Sequence, residues 1–328
     1  MKAQLKKVAD QIIVITGASS GIGLSTAKMA AARGARVVLA ARSEDALRDI
    51  AREITELGGS AAYAVADVAV REFGGFDTWV NNAALAMYGR LTEVTLEDSR
   101  RLFDVNFWGT VYGCRVAIPH LRERGGAIIN NGSALSERAV PLQGMYVASK
   151  HALKGFTDTL RMELEEEGAP ISVTLVKPGS IDTPYFQHAK SYMEVAPKPP
   201  APVYDPEVVA RTILECAERP VRDVYVGGGG RMIAAMENTP RLADRYMEKA
   251  MFRQQRSNKP VQARHNLYIP SAPSGVERGS NYEGHVMKSS AYTKASLNRG
   301  KTALAALGLG LAVAGLRYLG GTGDGNGS

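Results

Sequence analysis

The feature that most constrains this chain is a glycine-rich loop between an apolar segment and a helix near the N-terminus. Residues 11–16 are short, apolar and β-branched, which predicts a buried parallel strand, and a helix is predicted over about 22–33. The loop between them reads Thr16-Gly17-Ala18-Ser19-Ser20-Gly21-Ile22-Gly23. Gly17 permits a turn, Gly21 lets the backbone approach a phosphate, and Gly23 lets the helix pack on the strand. This arrangement predicts that a dinucleotide pyrophosphate binds at the helix N-terminus.

The first 240 residues continue this alternation of strand and helix. Further strands are predicted at 37–40, 61–66, 78–80, 127–129, 171–176 and 224–226. Helices are predicted at 43–58, 95–122, 145–167 and 205–218. Strands that alternate with helices form a parallel sheet with helices on both faces. Residues 1–240 are therefore predicted to be one α/β catalytic domain, a doubly wound Rossmann fold of about seven strands.

The connection before the fourth strand is short. Only nine residues separate Asp67 from Asp77, whereas a crossover with its helix needs at least about ten to twelve. Nine extended residues reach about 30 Å, so the chain can close but cannot supply a full covering helix. We therefore expect part of one sheet face to lack a helix.

The charge of the chain is unevenly distributed. From residue 241 to the end, 13 Lys and Arg stand against 5 Asp and Glu, a net of +8, while the first 240 residues carry a net of −1. Such a basic tail is compatible with nucleic acid or with an anionic membrane surface. The sequence contains no nucleic-acid-binding motif, so no nucleic acid is expected as a partner.

The cellular compartment is indicated by the cysteines and the N-terminus. Cys114 and Cys216 are too few for a disulfide framework. Lys2, Lys6 and Lys7 leave no room for the apolar run of a signal peptide. We expect a cytoplasmic catalytic domain.

Past residue 241 the alternating pattern ends. Residues 241–300 are basic and polar, with scattered Pro, Gly, Ser and Asn, and are predicted to be a largely irregular linker. Residues 301–320 are mostly apolar and borderline in length for a transmembrane helix. They predict either a membrane anchor or a small helix that packs on the domain or on a partner. The glycine-rich residues 321–328 are expected to be a flexible tail.

The end of the second predicted strand bears on the type of dinucleotide. An acidic residue there would bond the ribose 2′-hydroxyl and repel a 2′-phosphate. This chain has Arg42 instead, which can pair with the phosphate. The sequence therefore favours NADP(H) over NAD(H), the alternative being a solvated Arg42. Asp67 and Val68 could contact the adenine, and Asn82 and Ala83 could line the cofactor site.

A tyrosine and a lysine one helical turn apart indicate acid–base chemistry. Tyr146 and Lys150 project from the same face of a predicted helix. A free phenol has a pKa of about 10, and a nearby ammonium is expected to lower that value. Ser133, thirteen residues upstream of Tyr146, follows the fifth predicted strand and could stabilise charge on a substrate oxygen.

With these motifs the chain resembles the short-chain dehydrogenase/reductase superfamily over about residues 10–230. The resemblance rests on Thr16 to Gly23, Asp67-Val68, Asn81 to Ala84, Asn106, Ser133, Tyr146, Lys150 and Pro178-Gly179. It implies an oxidoreductase that transfers a hydride between the cofactor and an alcohol/carbonyl pair. It also implies a homo-oligomer built on the two long helices.

The resemblance assigns roles to further residues. Tyr146 would be the general acid and base, and Lys150 would also bond the nicotinamide ribose. Asn106 would anchor a water that passes protons to Lys150. The implied residues near the nicotinamide are Pro178, Gly179, Ile181 and Thr183.

The substrate is not determined by these motifs. The segment 184–204 is rich in Tyr, Met and Pro and favours an apolar small molecule. His188 in this segment could bind substrate, although a solvated loop histidine is the simpler interpretation. Gly227 to Gly230 is interpreted as a flexible link. An alternative function is a catalytically weak NADP(H)-binding scaffold or sensor, in which the short 67–77 connection has reduced turnover.

Overall fold

A computed structural model describes residues 3–63, 73–270 and 275–298 of the chain. Its centre is a parallel sheet of seven strands in the order β7-β6-β5-β4-β1-β2-β3. The strands are β1 Ile12–Thr16, β2 Arg36–Ala40, β3 Ser60–Tyr63, β4 Thr78–Asn81, β5 Gly126–Asn131, β6 Ile171–Pro178 and β7 Asp223–Val226. The predicted doubly wound Rossmann sheet is confirmed.

Helices cover both faces of this sheet. The major helices are α1 Gly21–Ala32, α2 Glu44–Glu56, α3 Leu96–Phe103, α4 Gly109–Arg124, α5 Gly144–Glu166, α6 Pro206–Glu218 and α7 Gly228–Ala235. Helices α1, α2 and α6 pack on one face, and α4 and α5 pack on the other. Strand β1 shows why both faces need helices. Ile13 and Ile15 join the first core while Ile12 and Val14 join the second, because successive side chains point to opposite faces.

Two predicted elements differ in detail from the structure. The helix predicted over 95–122 is two α-helices, α3 and α4, joined by a wider π-helical turn at Asp104–Trp108. The glycine run at 227–230 is not a flexible link. Gly227, at φ +95°, ends β7, and the following glycines begin α7. The short 67–77 connection lies largely outside the described residues, although Phe76 packs in the core beside Trp79.

The described part of 241–300 is not a linker. It forms α8 Pro240–Tyr246, a π-helical turn Met247–Met251, a helical turn Phe252–Gln254 and a final helix α9 Ala291–Leu297. Its short strands Arg256–Pro260 and Val286–Met287 pair with strands from the segment between β6 and α6. Met247, Met251 and Leu267 are buried. The prediction of an irregular linker is therefore wrong here, because polar composition concealed a few apolar residues that anchor the segment.

Membrane contact was predicted for residues 301–320, which lie outside the described residues together with the tail 321–328. Within the described ranges, no helix combines the length and apolar character needed to cross a bilayer.

Candidate active site

A cleft of about 720 Å³ opens at the carboxyl ends of the sheet strands. Ligands of open α/β sheets bind at this edge, because the loops after neighbouring strands meet there. Most described residues predicted to bind cofactor or to act in catalysis line the cleft: Thr16, Gly17, Ser19, Ser20, Gly21, Ile22, Arg42, Asn82, Ala83, Ser133, Tyr146, Lys150, Pro178, Gly179, Ile181 and Thr183. Asp67 and Val68 lie outside the described residues.

The glycine loop forms one end of the cleft. Gly17 and Gly21 adopt φ of +67° and +54°, a backbone conformation that favours glycine. Gly23 does not line the cleft. A Cβ at Gly23 would lie 2.2 Å from the Gly17 carbonyl oxygen, so only glycine lets α1 pack this closely against the loop.

Polar side chains of neighbouring strands fix the loop. The Thr16 hydroxyl accepts hydrogen bonds from the amides of Asn82 and Ala83, at 2.9 and 3.1 Å. The Asn82 side chain donates to the Thr16 carbonyl at 3.0 Å and accepts from the Asn131 amide at 2.8 Å. Three strands, β1, β4 and β5, are thereby held in one arrangement at the cleft floor.

Tyr146, Lys150 and Ser133 form the opposite end of the cleft. The first two lie in the first turns of α5 and are 9% and 2% exposed. The Lys150 Nζ lies 5.7 Å from the centre of the Tyr146 ring and donates to the Asn131 carbonyl at 2.9 Å. Ser133 follows β5 and caps a short 3₁₀ helix, Ala134–Ser136. The helical spacing has brought Tyr146 and Lys150 to one face of α5, and the strand order has brought Ser133 beside Tyr146.

The pKa shifts of Tyr146 and Lys150 differ from those expected from the sequence. Burial raises the pKa of Tyr146, and the groups that act in the opposite direction are the hydroxyls of Tyr185 and Ser133. Burial also lowers the pKa of Lys150 to about 8. The expected lowering of the Tyr146 pKa by a nearby ammonium does not appear in the structure, because desolvation dominates the pKa of both groups.

Asn106 does not line the cleft. Its side chain accepts from the Leu85 amide at 2.7 Å and donates to the Leu85 carbonyl at 3.1 Å and to the Ser149 hydroxyl at 3.3 Å. It lies in the π-helical turn and is 1% exposed. The side chain thus holds the segment after β4 against α5.

Arg42 lies at the end of β2, as predicted, but its partners come from the C-terminal segment. Its guanidinium donates to the carbonyls of Asn266 and Tyr268, at 2.6 and 3.3 Å. Arg101 of α3 donates to the intervening Leu267 carbonyl at 3.1 Å. The pKa of Arg42 is lowered by burial and by the charge of Arg101. Two guanidinium groups thus lie near each other, and that of Arg42 lines the cleft.

The C-terminal segment also reaches the glycine loop, which the sequence did not indicate. The Gly21 amide donates to the Val276 carbonyl at 3.0 Å, and the Gly275 amide donates to the Ser19 carbonyl at 2.8 Å. The next residue, Glu277, accepts a hydrogen bond from the Ser25 hydroxyl and lies 3.9 Å from the Lys28 ammonium. Asn266 and Pro270 line the cleft. The two hydrogen bonds to the glycine loop use main-chain groups, which carry no residue-specific signal.

The segment after β6 covers the catalytic end. Leu85, Tyr185, Phe186 and His188 line the cleft there. His188 is 6% exposed, so the interpretation of a solvated loop histidine is wrong. Its main-chain carbonyl accepts from the Asn266 amide at 3.0 Å, which joins this segment to the C-terminal segment.

The fold and the cleft together define a class of protein. A glycine loop at a helix N-terminus lies at one end of a cleft above a doubly wound sheet, and a Tyr–Lys pair with a serine lies at the other. This is the architecture of a Rossmann-fold oxidoreductase that binds a nicotinamide cofactor. The family model described as short chain dehydrogenase matches residues 11–194. The chain belongs to this family.

Characterised and uncharacterised relatives agree with this assignment. The uncharacterized oxidoreductase YxnA of Bacillus subtilis is 48% identical over 312 residues, which cover 90% of this chain and 87% of that protein. The putative oxidoreductase SadH of Mycobacterium tuberculosis is 33% identical over 66% of this chain and 86% of its own length. An 11-beta-hydroxysteroid dehydrogenase A of Sesamum indicum is 41% identical over 55% of each chain.

Solved structures of similar fold include cofactor complexes. An alcohol dehydrogenase from Thermococcus sibiricus complexed with 5-hydroxy-NADP aligns with a TM-score of 0.58 and 26% identity, and the alignment covers 66% of this chain and 95% of that one. L-sorbose reductase from Gluconobacter frateurii, complexed with NADPH and L-sorbose, also aligns with a TM-score of 0.58 and 26% identity, over 70% of this chain and 98% of that one.

Proposed function

We propose that this protein is an NADP(H)-dependent oxidoreductase that interconverts an alcohol and a carbonyl compound, with Tyr146 as the general acid and base. The observation that carries the proposal is the placement of Tyr146 in a buried cleft beside Ser133, with Lys150 one helical turn away. The glycine loop lies at the far end of the same cleft. One ligand that spans the cleft would therefore contact both groups.

The residues of the cleft fit such a cofactor. The pyrophosphate would bind at the N-terminus of α1, where it would replace the Val276 carbonyl as the acceptor of the Gly21 amide. Pro178, Gly179, Ile181 and Thr183 follow β6 and would hold the nicotinamide end. When bound, the nicotinamide supplies or accepts the hydride.

The protein's own groups would then manage the proton. During reduction, charge develops on the carbonyl oxygen, and Tyr146 would donate its phenolic proton to that oxygen. Ser133 would donate a hydrogen bond to the same oxygen and stabilise the charge. Lys150, held against the Asn131 carbonyl, would bond the ribose of the cofactor. In the oxidative direction the Tyr146 phenolate would take the proton back.

A preference for NADP(H) is supported by the charges near the end of β2. No acidic residue follows this strand directly, Arg42 lines the cleft, and the Arg101 charge lies near enough to lower the pKa of Arg42. A 2′-phosphate would be attracted to two guanidinium groups, whereas the 2′-hydroxyl of NAD(H) gains little from them. NADP complexes among the similar structures support the same preference.

An apolar substrate is supported by the walls of the catalytic end. Leu85, Tyr185 and Phe186 line the cleft next to Tyr146. Aromatic and aliphatic walls favour an apolar alcohol or ketone over a sugar. The hydroxysteroid dehydrogenases among the relatives agree with this chemistry.

The proposal is tested by NADPH oxidation against a panel of apolar ketones and, as a contrast, ketoses. Tyr146→Phe removes only the hydroxyl and should lower kcat about 10²- to 10⁴-fold while NADPH still binds. Arg42→Ala should raise the KM for NADPH much more than the KM for NADH. Tight NADPH binding without turnover of any compound would instead support the scaffold or sensor alternative.

We further propose that the protein forms a homo-oligomer through its long helices. Trp108, Tyr112 and Val116 lie four residues apart along one helical stripe and are 46%, 62% and 45% exposed. Met162 on α5 is also exposed. A contiguous apolar surface of this kind is typical of an association interface. Light scattering of the wild type and of Tyr112→Glu tests this, since the charge should dissociate the oligomer.

A further inference from the structure

Tyr185 is held rigidly beside the catalytic tyrosine. It lies in the short helical turn Pro184–Phe186 that follows β6. Its ring packs edge-on against the ring of Tyr146, with centroids 5.8 Å apart, and edge-on against the ring of Phe186, at 5.4 Å. Two aromatic neighbours therefore fix the plane of Tyr185, and with it the position of its hydroxyl.

That hydroxyl is buried and has no conventional partner. Within the described ranges no group makes a hydrogen bond of normal geometry to the Tyr185 oxygen. A buried hydroxyl without a partner is unfavourable, so such groups in native proteins usually have a functional explanation. Tyr185 lines the same cleft as Tyr146, and its hydroxyl is one of two groups that act to lower the pKa of Tyr146.

The two phenols have different acid–base environments. Burial raises the pKa of both phenols. At Tyr146 the hydroxyls of Tyr185 and Ser133 partly offset this, whereas the charge of Tyr146 adds to it at Tyr185, whose pKa lies well above its ordinary value. When two neighbouring titratable groups diverge in this way, one serves as the proton-transfer group and the other stays protonated as a donor.

We propose that Tyr185 is a positioning residue of the catalytic centre, and that its hydroxyl donates a hydrogen bond to the Tyr146 oxygen when that oxygen carries negative charge. The proposal rests on the proposed function of Tyr146. During alcohol oxidation the Tyr146 phenolate accepts the substrate proton, and Tyr185 stabilises this phenolate before the transfer. During reduction Tyr185 stabilises the phenolate that remains after Tyr146 has given up its proton.

The kinetic test compares Tyr185→Phe with the wild type and with Tyr88→Phe. Tyr88 offers a matched control, because its hydroxyl is also buried without a hydrogen-bond partner among the described residues, yet it does not line the cleft. In the profile of kcat/KM against pH for alcohol oxidation, Tyr185→Phe should move the acidic limb upward by about half to one pH unit, the effect of one lost hydrogen bond. Tyr88→Phe should leave the profile unchanged, and NADP⁺ should bind all three proteins equally.

A spectroscopic test needs no turnover. In protein labelled with ¹³C at the tyrosine ζ carbon, the Tyr146 signal is identified by its loss in Tyr146→Phe. Tyr185→Phe should shift that signal, and Tyr88→Phe should not. Suppose that the wild type oxidises alcohols. If Tyr185→Phe then leaves both the Tyr146 signal and the pH profile unchanged, this inference is wrong while the proposed function stands. An inactive wild type would overturn the proposed function, while the Tyr146 signal would still decide whether the two phenols are in contact.

Discussion

Two regions of this molecule build one cleft by different means. Residues 11–194, which match the family model, contribute specific side chains and glycines: Gly23 against the loop, Thr16 and Asn82 across strands, and the Tyr146–Lys150 pair. Residues 241–298 contribute mainly main-chain carbonyls, which bind Arg42 and the Gly21 amide. The first region forms the cleft with particular side chains and glycines, whereas the second reaches it mainly through its backbone and is anchored elsewhere by side chains such as Leu267. The second region can therefore cover a site without showing a motif.

The largest expected effect is a loss of stability when a side chain that anchors the second region is shortened. Leu267 is fully buried in the cluster that contains Tyr146, while Ile269, two residues away, is 74% exposed. Leu267→Ala should lower the free energy of unfolding by about 2–5 kcal/mol, because it leaves a cavity in this cluster. Ile269→Ala should change it by about 0.5 kcal/mol or less. Urea denaturation measures both, and equal effects would mean that the segment is not part of the core.

The next prediction concerns the glycines of the first region. Gly23→Ala places a Cβ 2.2 Å from the Gly17 carbonyl oxygen, a main-chain atom that cannot move without distorting the loop. We expect a loss of NADPH affinity of about 10- to 100-fold, the cost of forced overpacking. Gly155→Ala is the control, since its Cβ would meet nothing within 4 Å and it lies inside α5. It should bind NADPH normally and be slightly more stable. Fluorescence titration with NADPH distinguishes the two outcomes.

Lys150 should make stability depend on pH. Its pKa is lowered by burial from 10.5 to about 8. Between these pH values the unfolded chain binds more protons than the folded chain, so stability should rise as pH increases through this window. Lys150→Met should therefore be more stable than the wild type at pH 7, by up to about 3 kcal/mol. This difference should shrink as the pH rises from 8 to 10.5.

Denaturation of both proteins at pH 7 and pH 10.5 provides the measurement. If the two proteins differ in free energy of unfolding by the same amount at both pH values, the buried Lys150 ammonium is not the cause of the difference. The prediction also bears on the comparison of regions, because it assigns a cost in stability to a buried side chain of the first region that is proposed to act in catalysis.

The smallest expected effect is a change in NADPH affinity caused by a residue at the contact between the two regions. Glu277 contacts the first turns of α1 near the glycine loop. Its carboxylate should repel the phosphates of a bound dinucleotide, so Glu277→Gln should strengthen NADPH binding about two- to fivefold at low salt. Glu283→Gln serves as the control, because Glu283 is 82% exposed and pairs with Lys259. Weaker NADPH binding by Glu277→Gln would show that the carboxylate supports the loop instead.

The sequence predicted the elements of the first region closely. The predicted strand at 171–176 is part of Ile171–Pro178, and the helix predicted over 145–167 is Gly144–Glu166. These predictions succeed because the periodicities of strands and helices are local patterns. The helix predicted over 95–122 contains a π-helical turn because residues around Asn106 adapt to contacts with Leu85 and α5, which local patterns do not encode.

By itself the sequence determined the sheet, the glycine loop and the spacing that brings Tyr146 and Lys150 to one helix face, because each depends on residues close together in the chain. Only the tertiary structure decided the environment of these groups. The pKa of Lys150 depends on how completely the surrounding atoms exclude water. The contact of Tyr185 with Tyr146, and the carbonyls that reach Arg42, join residues far apart in the chain. Every residue carries a main-chain carbonyl, so no residue type could have revealed in advance which ones would close this cleft.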